Sequence, residues 1–143
     1  MINLFFSQPM TGYTFDQVRE ERQRMIEGLK INAENPDLPR SKKASDLYRL
    51  IRDGWEKNFE IIDQITPNEE LSKKGYVPDL VYLGEDIKLM SFADLIVFHN
   101  DWPKSKGCCS EHEICFYYKI PYIILDESYH IKHFLSLKNK NDR

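Results

Sequence analysis

Short, nearly unbroken apolar runs, set apart by helical stretches, constrain this chain most. Leu95-Ile96-Val97-Phe98 contains no polar residue, and Ile2 to Phe6 is interrupted only by Asn3. Such strands suit burial on both faces, as in a parallel sheet covered by helices. Tyr122 to Leu125, after Pro121, reads the same way, and Phe59 to Ile65 is a further strand ending at Pro67. Helical spacing runs from Thr14 to about Ile31, where Phe15, Val18, Arg22, Met25, Ile26 and Leu29 fall mostly on one stripe. Ala44 to Trp55 carries a weaker stripe of Leu47, Leu50 and Ile51. Leu80 to Phe92 reads as a helix broken near Gly84, Glu111 to Lys119 as another, and Tyr129 to Leu137 as a short last one. Strands alternating with helices predict an α/β domain with a mainly parallel sheet. Asn32 to Lys43, Asn68 to Pro78 and Asn100 to Ser110 are expected connections, and the charged end from Lys138 to Arg143 is expected to fray.

Nothing marks an internal boundary or a repeat, so residues 1–143 are expected to form one domain. Apolar residues make up 41% of the chain, enough for a single core. The balance of 20 basic against 23 acidic side chains gives a formal charge of -3. That is no electrostatic reason to bind nucleic acid or a membrane surface, and neither partner is expected. No apolar run approaches the roughly 20 residues of a bilayer span. The first six residues lack a basic n-region and a long apolar core, so no secretory signal is expected. All three cysteines lie between Cys108 and Cys115, which is no disulfide framework. A reducing, cytoplasmic setting is the expectation.

In a parallel α/β sheet, ligands bind beyond the carboxyl ends of the strands, where helix N-termini also point. Three polar segments should meet there: Ser7 to Gly12, Asn100 to Glu111, and Gly84-Glu85-Asp86. Ser110-Glu111-His112-Glu113 has the form of a capping box, with Ser110 as N-cap. Glu111 would then open the helix, and the helix dipole would favour its ionised form. It would serve as a nucleophile or only complement the dipole. Asp86 is a second carboxylate. If it shares the cleft, one pKa of the pair rises, giving one acid and one base or nucleophile; otherwise Asp86 only begins a helix. Cys108, Cys109, His112 and Cys115, with His99 nearby, include zinc-ligand types but no C-x-x-C pair, and no metal is expected. The Lys104 to Gly107 loop offers either a phosphate cradle or solvated lysines, and Trp102 and Phe5 either stack on a base or pack internally.

These residues also carry a resemblance. Ser7-Gln8-Pro9-Met10-Thr11-Gly12 follows the first strand, and Ala93-Asp94 precedes another. Gly107-Cys108-Cys109-Ser110-Glu111-His112-Glu113-Ile114 comes next. Asp86 stands eight residues before Asp94, Glu111 ten before Pro121, and Ser105 six before Glu111. In these segments the chain resembles the nucleoside 2-deoxyribosyltransferase superfamily, which includes the 2'-deoxynucleoside 5'-phosphate N-hydrolases. It looks nearest to short phage and bacterial members. The likeness covers roughly Met1 to Thr14 and Val81 to Leu125, and Asn32 to Trp55 has no counterpart in it. Thr11 stands where the hydrolases often carry an arginine, and Glu113 where a glycine is common. The chain ends Asn141-Asp142-Arg143, without the aromatic terminal residue of the transferases.

The resemblance implies a flavodoxin-like three-layer sandwich with a mainly parallel five-stranded sheet. It implies Glu111 as nucleophile and Asp86 as the group that handles the proton or holds the base. Ser7, Gln8, Met10 and Gly12 would line the base or sugar pocket with Phe5 beneath, and Ser105 and Gly107 would face the 5' end. The implied activity is N-glycosidic cleavage and deoxyribosyl transfer on 2'-deoxynucleosides through a covalent Glu ester, with no cofactor. Alternatives are hydrolysis of nucleoside 5'-monophosphates and a non-catalytic nucleotide-binding module. A response-regulator-like domain using Asp63 would lack the usual acidic pair after the first strand. A homodimer or higher homo-oligomer is implied as well.

Overall fold

The computed structural model describes residues 1–35, 40–64 and 78–135. The expected connection from Asn68 to Pro78 lies, but for its last residue, outside the described residues, as does the charged end from Lys138. The chain runs β1 (Ile2–Ser7), α1 (Phe15–Ala33), α2 (Lys42–Asp53), α3 (Trp55–Asn58), β2 (Phe59–Ile61) and α4 (Pro78–Met90). It continues with β3 (Leu95–Phe98), a 3-10 turn (Trp102–Lys104), α5 (Lys106–Tyr118), β4 (Tyr122–Leu125) and β5 (Ile131–Phe134). The sheet order is β2-β1-β3-β4-β5. β1 pairs in parallel with β2 and β3, β3 pairs in parallel with β4, and β5 closes the edge antiparallel to β4. This is a flavodoxin-like three-layer α/β sandwich whose strand order reverses between β1 and β3.

Alternation along each strand builds two cores. Leu4 and Phe6 of β1, Leu95 and Val97 of β3, and Ile123 and Leu125 of β4 pack with α1 and α2, through residues such as Met25, Leu29, Leu47 and Ile51. Phe5, Ile96, Phe98 and Ile124 point the other way and pack with Met90 of α4 and Cys115 of α5. Burial on both faces is why these strands carry so few polar residues.

α1 begins at a capping box. Thr14 Oγ1 accepts from the Gln17 N–H at 3.1 Å, and Gln17 Oε1 accepts from the Thr14 N–H at 2.9 Å. Between β1 and α1 the Tyr13 N–H donates to Met10 O at 3.1 Å, and Gly12 holds φ +86 in that turn. A side chain there would be strained, which accounts for glycine.

Four sequence expectations are corrected. The helix expected over Tyr129 to Leu137 is not found in its described part, residues 129–135: Ile131–Phe134 is β5, entered through a turn in which Asp126 Oδ1 accepts from the Ser128 and His130 N–H groups, and residues 136–137 lie outside the described residues. α4 runs unbroken through Gly84. β2 ends at Ile61 rather than Ile65. α5 begins at Lys106, not Glu111, and its N-cap is Ser105, which accepts from the Cys108 N–H at 3.3 Å. The expected capping box is therefore absent. Ser110 lies inside the helix and its hydroxyl donates to Lys106 O at 3.0 Å.

Candidate active site

A cleft of about 210 Å³ opens at the carboxyl edge of β1, between the β1–α1 loop, α4 and α5. The loop side supplies Gln8, Met10, Thr11 and Tyr13, with Phe15 from the start of α1. α4 contributes Asp79, Tyr82, Leu83 and Asp86, at i, i+3, i+4 and i+7 spacing on one helix face. α5 contributes Gly107, Cys108 and Glu111, and its N-cap contributes Ser105.

Asp86 and Glu111 therefore share one cavity. Glu111 is only 3% exposed, yet it forms part of the cleft wall. Its Oε1 accepts a hydrogen bond from the Ser7 hydroxyl at 2.7 Å. Its Oε2 is buried and meets no hydrogen-bond donor. An ionised Glu111 would leave that oxygen unsatisfied in the protein interior, which is costly. A proton on Oε2, donated toward Asp86, removes the deficit. The electrostatics agree: burial first, and then the negative Asp86, push the Glu111 carboxyl well above the usual range, while the Ser7 hydroxyl works against the rise. Asp86 is raised to about 6, mainly by burial. Its interaction with Glu111 lowers it, Glu85 raises it, and Arg22 lowers it. The pair thus behaves as two carboxyls sharing a proton.

The expectation that a helix N-terminus keeps Glu111 ionised is overturned. Glu111 is the sixth residue of α5, and the dipole acts within the first turn. Burial and Asp86 dominate.

The other expected site residues divide. Gln8, Met10, Ser105 and Gly107 line the cleft, and Ser7 reaches it through Glu111. Phe5 is fully buried in the core beside Met90 and Ile96, and Gly12 serves the turn; neither is in the cleft wall. Ser105 is engaged as the α5 N-cap. Lys104 extends into solvent, 81% exposed, with its Nζ 3.4 Å from Asp101. Trp102 stacks on His112 with ring centroids 4.3 Å apart and packs edge-on against Phe98, so it stands outside the cleft. Sequence reasoning missed Tyr13, Phe15, Asp79, Tyr82 and Leu83. The spacing of Asp79, Tyr82 and Asp86 along one helix face was the signal available.

Burial pushes the Cys108 thiol up to about 11, so the cleft wall holds a neutral thiol. Among the described residues, no three His, Cys, Asp or Glu side chains are grouped to hold a metal ion. No helix among them is long and apolar enough to cross a membrane.

A larger cavity of about 350 Å³ lies on the other side of Gln8. Its His99, Glu21 and Arg24 are tied to one another. His99 Nδ1 accepts from the Asp101 N–H at 2.9 Å, leaving Nε2 to donate to Glu21 at 2.9 Å. Tyr129 OH donates to the same Glu21 oxygen at 2.8 Å, and Arg24 pairs with the other at 3.0 Å. Burial works to raise Glu21, but the bonds from His99, Tyr129 and Arg24 hold it below the ordinary carboxylate range. Unspent chemistry is in the smaller cavity, and the candidate site is placed there. Comparison with family models, curated proteins and solved structures returned no match to this chain.

Proposed function

We propose that this protein cleaves the N-glycosidic bond of 2'-deoxynucleosides and transfers the deoxyribosyl group through an ester on Glu111. The observation that carries this reading is the carboxyl pair in one cleft, with Glu111 buried and oriented by Ser7 and Asp86 beside it. Two carboxyls with one proton supply both groups that glycosidic cleavage requires.

In the resting pair the proton sits with Glu111. Reaction moves it to Asp86 and on to the departing base, whose nitrogen takes the electron pair of the broken C1'–N bond. Glu111 is left as a carboxylate, with Oε1 held by Ser7 and Oε2 free to bond to C1'. The developing oxocarbenium charge is stabilised by the same carboxylate. In the second step a nitrogen of another base, or water, attacks C1' and the ester C–O bond breaks. The proton of the attacking group returns to the pair.

Tyr13, Phe15 and Tyr82 give the cleft an aromatic rim suited to a planar base. The described cleft wall carries three carboxyl groups, Asp79, Asp86 and Glu111, and no basic side chain. That charge pattern favours a neutral nucleoside over a 5'-monophosphate. Self-association would have an apolar surface to use in Phe116 and Tyr117, each 71% exposed.

The test is to incubate the protein with mixed 2'-deoxynucleosides and a free base, then separate the products. Swapped nucleosides are the expected result. Free bases alone would indicate hydrolysis, and intact substrate with measurable binding would indicate a non-catalytic binding module.

A further inference from the structure

The α4 face that walls the cleft reads carboxyl, aromatic, aliphatic, carboxyl: Asp79, Tyr82, Leu83 and Asp86. The two carboxyls are in different circumstances. Asp86 is partly buried and bonded to Glu111, whose Oε2 is itself buried and meets no donor. Asp79 is exposed at the other end of the same face, and among the described residues it has no hydrogen-bond or ion-pair partner. As the second residue of α4 it complements the helix dipole. A carboxylate turned away from the cleft would do that equally well.

A helix rises about 1.5 Å per residue, so seven residues set Asp79 and Asp86 about 10 Å apart along α4. In the proposed reaction Asp86 serves the departing base and Glu111 the sugar. The base then lies along α4, the helix that carries Asp86, with Tyr82 and Leu83 against its ring. The polar atom of adenine farthest from the glycosidic nitrogen is its 6-amine. A base held at Asp86 and running along the helix directs that amine toward Asp79. The amine has hydrogens to donate, and a carboxylate only accepts. A base with an oxygen at that position would turn one acceptor toward another.

We infer that Asp79 is a specificity-determining residue whose carboxylate accepts a hydrogen bond from the exocyclic amine of the base, so that the cleft selects adenine-type nucleosides. This rests on the nucleoside reading of the cleft.

The probes are 2'-deoxyadenosine and purine 2'-deoxyriboside, the same nucleoside with hydrogen in place of the amine. Binding is measured by calorimetry in a Glu111→Ala background so that both stay intact. The amine should tighten binding about tenfold to a hundredfold. Asp79→Ala in that background should remove the difference, weakening 2'-deoxyadenosine by the same factor and leaving purine 2'-deoxyriboside unchanged. Equal affinities before the Asp79 substitution, or a preference that survives it, would overturn the inference. So would an equal loss for both nucleosides, which would assign Asp79 to the sugar or to the helix alone. If Asp79→Ala does not fold, the two affinities in the Glu111→Ala protein decide: a preference for the amine supports the inference, and equality overturns it. Amine-dependent binding without base release by the unmodified protein would refute the glycosidase reading and leave this inference standing. Base release with no preference for the amine would do the reverse, and no binding of either nucleoside would refute both.

Discussion

Replacing Asp86 by asparagine should make the protein more stable above pH 6 while removing most of its activity. Asp86 titrates at about 6 in the folded chain, against an ordinary value of 3.8. Below the lower value both folded and unfolded chains hold the proton, and no penalty exists. Between the two the unfolded chain ionises first, so stability falls as pH rises, and the penalty is complete above about 6. Two pKa units correspond to about 3 kcal/mol for a sealed group. Asp86 is partly open to solvent, and screening reduces this to about 1–2 kcal/mol. For a chain of this length that is a rise of about 3–7 °C in Tm. Asparagine keeps the shape and can still accept from the Glu111 carboxyl. Urea unfolding of both proteins at about pH 7.5 and about pH 3 should show the variant ahead at the first and level at the second. A destabilised variant at the higher pH, or a gain that ignores pH, would refute the proton-sharing picture. Loss of the general acid should lower turnover by roughly 10²–10⁴-fold in the same protein.

Four further outcomes follow from the same geometry. Glu111→Ala should abolish base release and leave the circular dichroism spectrum unchanged; persistent release would remove Glu111 from the mechanism. Ser7→Ala deletes the 2.7 Å bond to Glu111 Oε1, which should raise that carboxyl further and cut kcat/KM about tenfold to a hundredfold. The kcat/KM profile of the unmodified protein should rise with pH through about 6, where the pair loses its first proton; a flat profile from about pH 4.5 to about pH 8 would contradict this. Gly28→Ala would bring a Cβ to 2.5 Å from the Tyr129 Cβ. The melting curve should register a loss of about 1–3 kcal/mol.

Strands buried on both faces were the most legible elements. Leu95–Phe98 and Tyr122–Leu125 have the bounds their apolar runs predict, because in a covered parallel sheet no position can be polar without a partner. β5 was not legible. It is an antiparallel edge strand with Lys132 and His133 exposed, so its sequence carries no strong period and reads as a weak helix. The start of α5 was misplaced because Gly107 and two cysteines disguise its first turn, while Ser110 and Glu113 imitate a cap one turn later. That error had a chemical consequence. It made Glu111 a dipole-stabilised anion, whereas its depth in the helix makes it a buried acid. Residues 86 and 111 do share a cleft, but the helix start near Gly84 that was to bring Asp86 there does not exist: α4 runs unbroken from Pro78, and Asp86 reaches the cleft from the helix face on which Asp79, Tyr82 and Leu83 also lie. The aromatic rim was not legible, because an aromatic residue near a loop reads equally well as core.

The most direct test of a covalent role for Glu111 is to quench the protein with acid during turnover of a 2'-deoxynucleoside and map its peptides by mass. A deoxyribosyl adduct on Glu111, absent from Glu111→Gln, is the predicted result. Turnover that proceeds with no sugar on any carboxylate, or with the sugar on Asp86, would contradict it.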